Sequence, residues 1–440
     1  MLNLDVPWGE APANHSTLPP RASRTGAVAR VGRAGRLCLG YNRAQQKNGA
    51  GSVIEYDPYS YEVHEDPYPA YKWLRDEAPL YHNERLGFWT LSRHADVMAA
   101  LKDTSVLSNR YGVALEAMGS YASTTMSFLA MDPPRHTRMR ALVSRAFTAR
   151  RVAELEPRIR EIATEHIDAF IDGHRCDFMR DFAGKLPMDV ISETLGVPKE
   201  DRAMLRDWSD DVLHREEGVS TIPPAAVEAA KHLFQYLTDM VKQARAARRE
   251  TLTDGLLEAE IEGDRLDDSE IVGFLFLMVI AGNETTTELL GNALYWIAKH
   301  PEQRARIRSD ATLIPGWVDE TLRFDGSTQA LARTISEEAE YHGQTVPAGE
   351  KILLLVGSAN RDERVWREPD TFDITRDTSQ MASFGHGIHY CLGAPLARLE
   401  AIVSLEEIQS RLPDFELDAE GLARIHSSNV RGFAAMPIRF

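Results

Sequence analysis

FGHGIHYCLG, residues Phe384 to Gly393, is the stretch on which the reading of this chain turns. It opens directly into APLARLEAIVSLEEIQSRL, an apolar-periodic helix pattern from Ala394 to Leu412. A cysteine just before a helix start is placed for thiolate chemistry. The positive end of the helix dipole and the free amides of the first turn stabilise negative charge on Cys391 sulfur. Gly387 and Gly393 flank it, and without a Cβ they let the backbone lie close to a flat, bulky group. The plainer alternative is a buried structural cysteine in a Gly-rich turn, since a free cysteine usually behaves as a small inert hydrophobe.

Upstream, Asp267, Asp268 and Ser269 offer a helix start before EIVGFLFLMVIAGNETTTELLGNALYWIAKH, and Pro301 marks its end. The first half of this pattern is apolar on nearly every side, which predicts a buried central helix. Inside it lies Ala281-Gly282-Asn283-Glu284-Thr285. A carboxylate and hydroxyls in a buried apolar helix are costly without partners, and glycine there loses about 1 kcal/mol relative to alanine. Local cost of this kind points to function. Glu320 and Arg323 form an i, i+3 acid–base pair, a pattern that by itself is usually a solvated surface bridge.

In this order and spacing the segments resemble the cytochrome P-450 (haem-thiolate monooxygenase) family, from near Asp57 to Phe440. The resemblance implies a mainly α fold with small β sheets: a single-domain cytochrome P-450 fold over residues 53–440. It places haem b (iron protoporphyrin IX) between a long central helix and the cysteine loop. Cys391 becomes the axial iron ligand, favouring O–O cleavage, with Phe384 packed on the sulfur and the following amides donating to it. Ala281 and Gly282 leave room for O2, Thr285 hydrogen-bonds it or its water, and Glu284 feeds protons. His136, Arg140, Arg333 and His389 fall where the family holds the haem propionates, which need charge-assisted partners when buried. Gly387 and Gly393 join Phe384 in the cofactor loop. Glu320, Arg323 and Arg376 become a structural lock. Leu277, Ile280, Ala281 and Gln329 are expected over the haem, with the loop from Tyr111 to Met126 (Val113, Leu115, Met118, Tyr121) as part of the roof.

The whole chain agrees with a globular enzyme. Its 440 residues are 43% apolar, and Cys38, Cys176 and Cys391 are too few and too scattered for a disulfide framework. That fits a reducing cytoplasm. No apolar run approaches the roughly 18 to 20 residues a membrane helix needs. Residues 1–52 carry seven basic residues against Asp5 and Glu10, which gives +5 and leaves −21 of the −16 total on the rest. Rich in Ala, Gly, Pro and Ser, this segment reads as a disordered basic extension. A monomer without nucleic-acid or membrane partners is expected. The 440 residues show no Gly-rich dinucleotide fingerprint, so electrons should come from a separate ferredoxin and ferredoxin reductase. An acidic ferredoxin would be steered by Arg135, Arg138, Arg145, Arg150, Arg151 and Arg398. The substrate expected is a lipophilic small molecule, hydroxylated or epoxidised with O2. Rival readings are a peroxide-driven peroxygenase and a haem-binding sensor without turnover.

Overall fold

A computed structural model describes residues 55–440 apart from 120, 121, 217 and 413. The expected basic extension, residues 1–52, and Tyr121 of the roof lie outside the described residues. Asp57–Phe440 forms one compact unit. Among the described residues no helix is long and apolar enough to cross a membrane.

Helices dominate. Those that build the site are α1 (Arg135–Ala146), α2 (Arg202–Leu213), α3 (Asp268–Lys299), α4 (Ile314–Asp325) and α5 (Ala394–Arg411). The 32-residue α3 spans about 48 Å at 1.5 Å per residue. Its start follows from a reciprocal capping box. The Asp267 side chain accepts from the Glu270 amide at 2.8 Å, and the Glu270 carboxylate accepts from the Asp267 amide at 3.2 Å. Pro301 does not merely end α3; it occupies the first turn of the next helix, Pro301–Ser309, where its missing N–H costs nothing. Ile271 to Leu277 are all buried, so α3 is the axis of the main core, with α4 and α5 packed on it.

A five-stranded sheet covers one end. Its strands are β1 (Leu80–Asn83), β2 (Phe88–Leu91), β3 (Leu107–Ser108), β4 (Leu331–Ile335) and β5 (Lys351–Leu354), in the order β1-β2-β5-β4-β3. All pairings are antiparallel except β5 on β2. A second apolar cluster, including Leu91, Val97, Ile335 and Ile352, lies beneath it. The apolar run 351–360 is strand only to Leu354. Val356–Ala359 is a helical turn. Here the Gly357 amide donates to the Gln329 carbonyl at 3.0 Å, and the Gln329 carboxamide fills the space where a Cβ on residue 357 would stand.

The Glu320–Arg323 pair is fully buried rather than solvated. The guanidinium binds both carboxylate oxygens, at 2.8 and 2.7 Å, and donates to the carbonyls of Asn360 and Pro369. Arg376 joins at 3.4 Å from Glu320 and ties down the carbonyls of Arg367, Glu368 and Thr371. α4 is thereby pinned to the segment that leads to the cysteine loop. Arg323→Leu strands a buried carboxylate and should cost about 3–5 kcal/mol. Thermal unfolding should show a large fall in melting temperature; an unchanged value would mean that the pair contributes nothing to the fold.

Candidate active site

The cysteine loop is closed by its own backbone: the Cys391 amide donates to the Phe384 carbonyl at 2.9 Å. Gly387 sits at φ +71°, a conformation that favours glycine, and its α-carbon faces the Leu101 carbonyl and Lys102. The Ala394 amide donates to the Cys391 carbonyl at 3.5 Å, and the Gly393 and Ala394 amides lie near enough to the Cys391 sulfur to favour its negative charge. Burial pushes the Cys391 thiol up, whereas the Gly393 amide, Arg140, the Ala394 amide and Arg398 all favour the thiolate. At Cys176 burial, Asp181 and Asp177 outweigh the Arg180 charge and push the thiol up to about 12. Phe384 lies under the Arg398 guanidinium, 4.6 Å from ring centroid to charge.

Beside this loop stand four basic side chains. His136 and Arg140 share a face of α1, Arg333 comes from β4, and His389 from the loop itself. The two imidazoles lie 4.2 Å apart, and among the described residues none of their four ring nitrogens has a hydrogen-bond partner. Arg140 donates through Nη2 to the Tyr390 carbonyl at 2.8 Å, and its Nη1 has no partner among the described residues. The buried Arg333 donates to the carbonyl of its neighbour Ala332. Burial lowers all four pKa values. His389 falls to about 3, through burial and then His136, Arg333 and Arg140, while Arg333 falls to about 10. So many unpaired buried donors around one point call for an anion with several acceptor oxygens. The two propionates of haem b fit this cradle, and Cys391 with the amides beside it fits the iron.

Midway along its length α3 interrupts its own burial. Ala281 is exposed and Ile280, Gly282, Glu284 and Thr285 are half-buried, while the residues before and after are mostly buried. The helix therefore borders open volume at this point. Thr285 Oγ1 donates back to the Ala281 carbonyl at 2.8 Å, which leaves its lone pairs free to accept. Glu284 makes no hydrogen bond to the described residues. Burial, and then the charge of Asp210, push its carboxyl up to about 8.

Several expected positions differ. Gln329 does not project over this volume: its side chain folds back on Gly357, and Nε2 donates to the Gly326 carbonyl at 2.7 Å. Leu277, Val113 and Leu115 are buried and Met118 is half-buried, which agrees with apolar walls as well as with core packing. Arg138 is not a free docking charge. It binds Asp264 at 2.6 Å and Glu270 at 2.6 Å, fastening α1 to the start of α3. Arg398 pairs with Asp319 and Arg150 with Glu154, leaving Arg135 and Arg145 exposed on α1. Two carboxyls went unnoticed in the sequence. Glu288 was findable, one turn beyond Glu284 in an apolar run; Asp210, far away in sequence, carries no signal.

Fold and site together define a haem-thiolate enzyme. The Cytochrome P450 family model matches residues 220–421. A protein of Mycobacterium tuberculosis described as putative cytochrome P450 123 is 54% identical over 385 residues, covering 87% of this chain and 96% of its own. The vitamin D(3) 25-hydroxylase of Pseudonocardia autotrophica is 40% identical, covering 87% of this chain and 96% of its own. Among solved structures, CYP109E1 from Bacillus megaterium in complex with testosterone superposes with a TM-score of 0.76 at 32% identity, covering 85% of this chain and 99% of its own. The chain belongs to the cytochrome P450 family. It is a monooxygenase with haem b as cofactor.

Arg333→Ala removes one charge-assisted partner of the propionates, a contact of about 1.5–3 kcal/mol. Haem should dissociate roughly 10- to 100-fold faster to an acceptor such as apomyoglobin. Transfer at the wild-type rate would take Arg333 out of the cradle.

Proposed function

We propose that the chain hydroxylates or epoxidises a lipophilic small molecule with O2, taking electrons from a separate ferredoxin and its reductase. The observation that carries this reading is the succession of Glu284 and Thr285 where the burial of α3 is interrupted. Thiolate-bound haem supplies the redox chemistry. The protein's part is to hold it and to deliver protons. Arg140, Arg333, His136 and His389 bind its carboxylates, and the Gly393 and Ala394 amides keep charge on Cys391 sulfur. Ala281 and Gly282 keep side-chain bulk away from the reacting side. A carboxyl near pKa 8 is protonated at neutral pH and still gives up a proton readily, the compromise a general acid needs. Thr285 accepts that proton's hydrogen bond and orients it.

A peroxide-driven enzyme has no need of this acid–hydroxyl pair, which favours O2. Apolar residues around the open stretch, Ile280 and Ala281 among them, favour a lipophile. One relative is described as a vitamin D(3) 25-hydroxylase and one similar structure holds testosterone, so a steroid-like skeleton is the first substrate class to screen. The exposed Arg135 and Arg145 lie on the helix whose other face holds His136 and Arg140. They offer cations to an acidic ferredoxin beside the cysteine loop.

Steroids that shift the haem spin state identify the substrate. With one in hand, Thr285→Ala should still consume reductant but lower product formed per reductant by roughly ten-fold or more, the rest emerging as peroxide or water. Unchanged coupling would leave the hydroxyl only its bond to Ala281.

Arg145→Glu should slow reduction of the iron without changing substrate affinity. Salt should do the same in the wild type, because screening shortens from about 8 Å at 0.15 M to about 3 Å at 1 M. Stopped-flow reduction rates indifferent to both would place docking elsewhere. Arg138→Glu is a different case: it opposes Asp264 and Glu270 and should lower the melting temperature instead.

A further inference from the structure

The haem cradle is assembled from three separate pieces of chain, and something must set the distances between them. His136 and Arg140 stand on α1, Arg333 on β4, and His389 on the cysteine loop. The short strand β3 and the chain leading into it meet all three. Ser108 of β3 pairs with Thr334, the neighbour of Arg333, and beyond the strand end the Ser336 amide donates to the Val106 carbonyl at 2.7 Å. Upstream of β3 the chain meets the cysteine loop, where a Cβ on residue 387 would stand 3.2 Å from the Leu101 carbonyl.

Asp132 joins α1 to this strand. Its main-chain carbonyl accepts from the His136 amide at 2.9 Å and so forms the first turn of α1. Its carboxylate reaches back 24 positions in sequence, where Ser108 Oγ donates to Oδ2 at 2.5 Å. The Asn109 amide donates to Oδ1 at 2.9 Å, and Asn109 Nδ2 donates to the Leu129 carbonyl at 3.0 Å. Ser108 and Asn109 are buried, so little water competes for these bonds. A bonded route therefore runs from Arg333 through Thr334, Ser108 and Asp132 to His136.

We propose that Asp132 is a positioning residue of the haem carboxylate site: it fixes α1 against β3, and so holds His136 and Arg140 at the spacing from Arg333 that the two propionates require. This rests on His136, Arg140, Arg333 and His389 being the propionate partners. A carboxylate beside an anion site would by itself repel the anion. Here its oxygens are turned to Ser108 and Asn109. Its charge has a second effect: burial lowers the Arg333 pKa, burial and then Arg140 lower that of His136, and Asp132 opposes both shifts. Bonds and charge are separable, because Asp132→Asn keeps an acceptor for Asn109 and a polar group for Ser108 while removing the charge.

Loss of haem to apomyoglobin is followed for protein loaded with haem b or with its dimethyl ester, whose carboxylates are masked. The wild type should release the diester roughly 10- to 100-fold faster than haem b. Asp132→Ala should release haem b roughly ten-fold faster than wild type, and the diester at the wild-type rate. Ser108→Ala, which removes one bond from the strand side, should show a smaller acceleration for haem b alone, and it carries the test if Asp132→Ala does not fold. Asp132→Asn should stay within about three-fold of wild type. A wild type that holds both haems equally well would overturn the cradle itself. With a discriminating wild type, release of haem b at the wild-type rate in Asp132→Ala and Ser108→Ala would overturn the role of Asp132 alone. So would equal acceleration of both haems, which is general loosening, or an Asp132→Asn as fast as Asp132→Ala, which would put the effect in the charge.

Discussion

Charge inside a low-dielectric interior must be answered by opposite charge or by aimed dipoles, and this constraint shapes every working part of the protein. Where the answer lies within the polypeptide, the result is scaffold. Glu320 receives two bonds from Arg323 and a third contact from Arg376. Asp325, equally buried, is met by Arg431 at 2.7 Å and by Tyr68 and Trp296. Where the polypeptide leaves the charge unanswered, the result is a binding site. Among the described residues His136, His389 and Arg140 Nη1 have no partner, the buried Arg333 stands with them, and the amides after Cys391 favour charge on its sulfur. The first set holds the second in place, because the segment locked by Arg323 and Arg376 feeds directly into the cysteine loop.

The reacting side follows the same logic with acids. Burial, and then the charge of Asp210, push the Glu284 carboxyl up to about 8, and burial, and then Glu284, push the Glu288 carboxyl well up, so an apolar helix holds carboxyls by disfavouring their charge. What separates the two acids is hydrogen bonding. The Phe433 amide fixes Glu288, and no group of the described residues fixes Glu284.

Local pattern made much of this legible. α3 shows its cap, its apolar surround and its polar interruption within one continuous stretch, and the cysteine loop holds its glycines, ligand and helix start within ten residues. The cradle was reached through a resemblance that ordered His136, Arg140, Arg333 and His389 along the chain; the structure brings them to one point. Tertiary context decided the rest. Arg138 reads as a surface charge until Asp264 and Glu270 close on it. Gln329 reads as a cavity residue until Gly357 gives its side chain a place to fold back.

Of the described cysteines, Cys391 is the one whose surroundings suit it to carry anionic sulfur to the iron. The reduced carbon monoxide adduct reports this directly, because thiolate ligation moves its Soret band strongly to the red. The wild type should show that band, Cys391→Ser should lose it while keeping its helical content, and Cys176→Ser should be indistinguishable from wild type. A red-shifted band that survives in Cys391→Ser, or one that disappears in Cys176→Ser, would contradict the account.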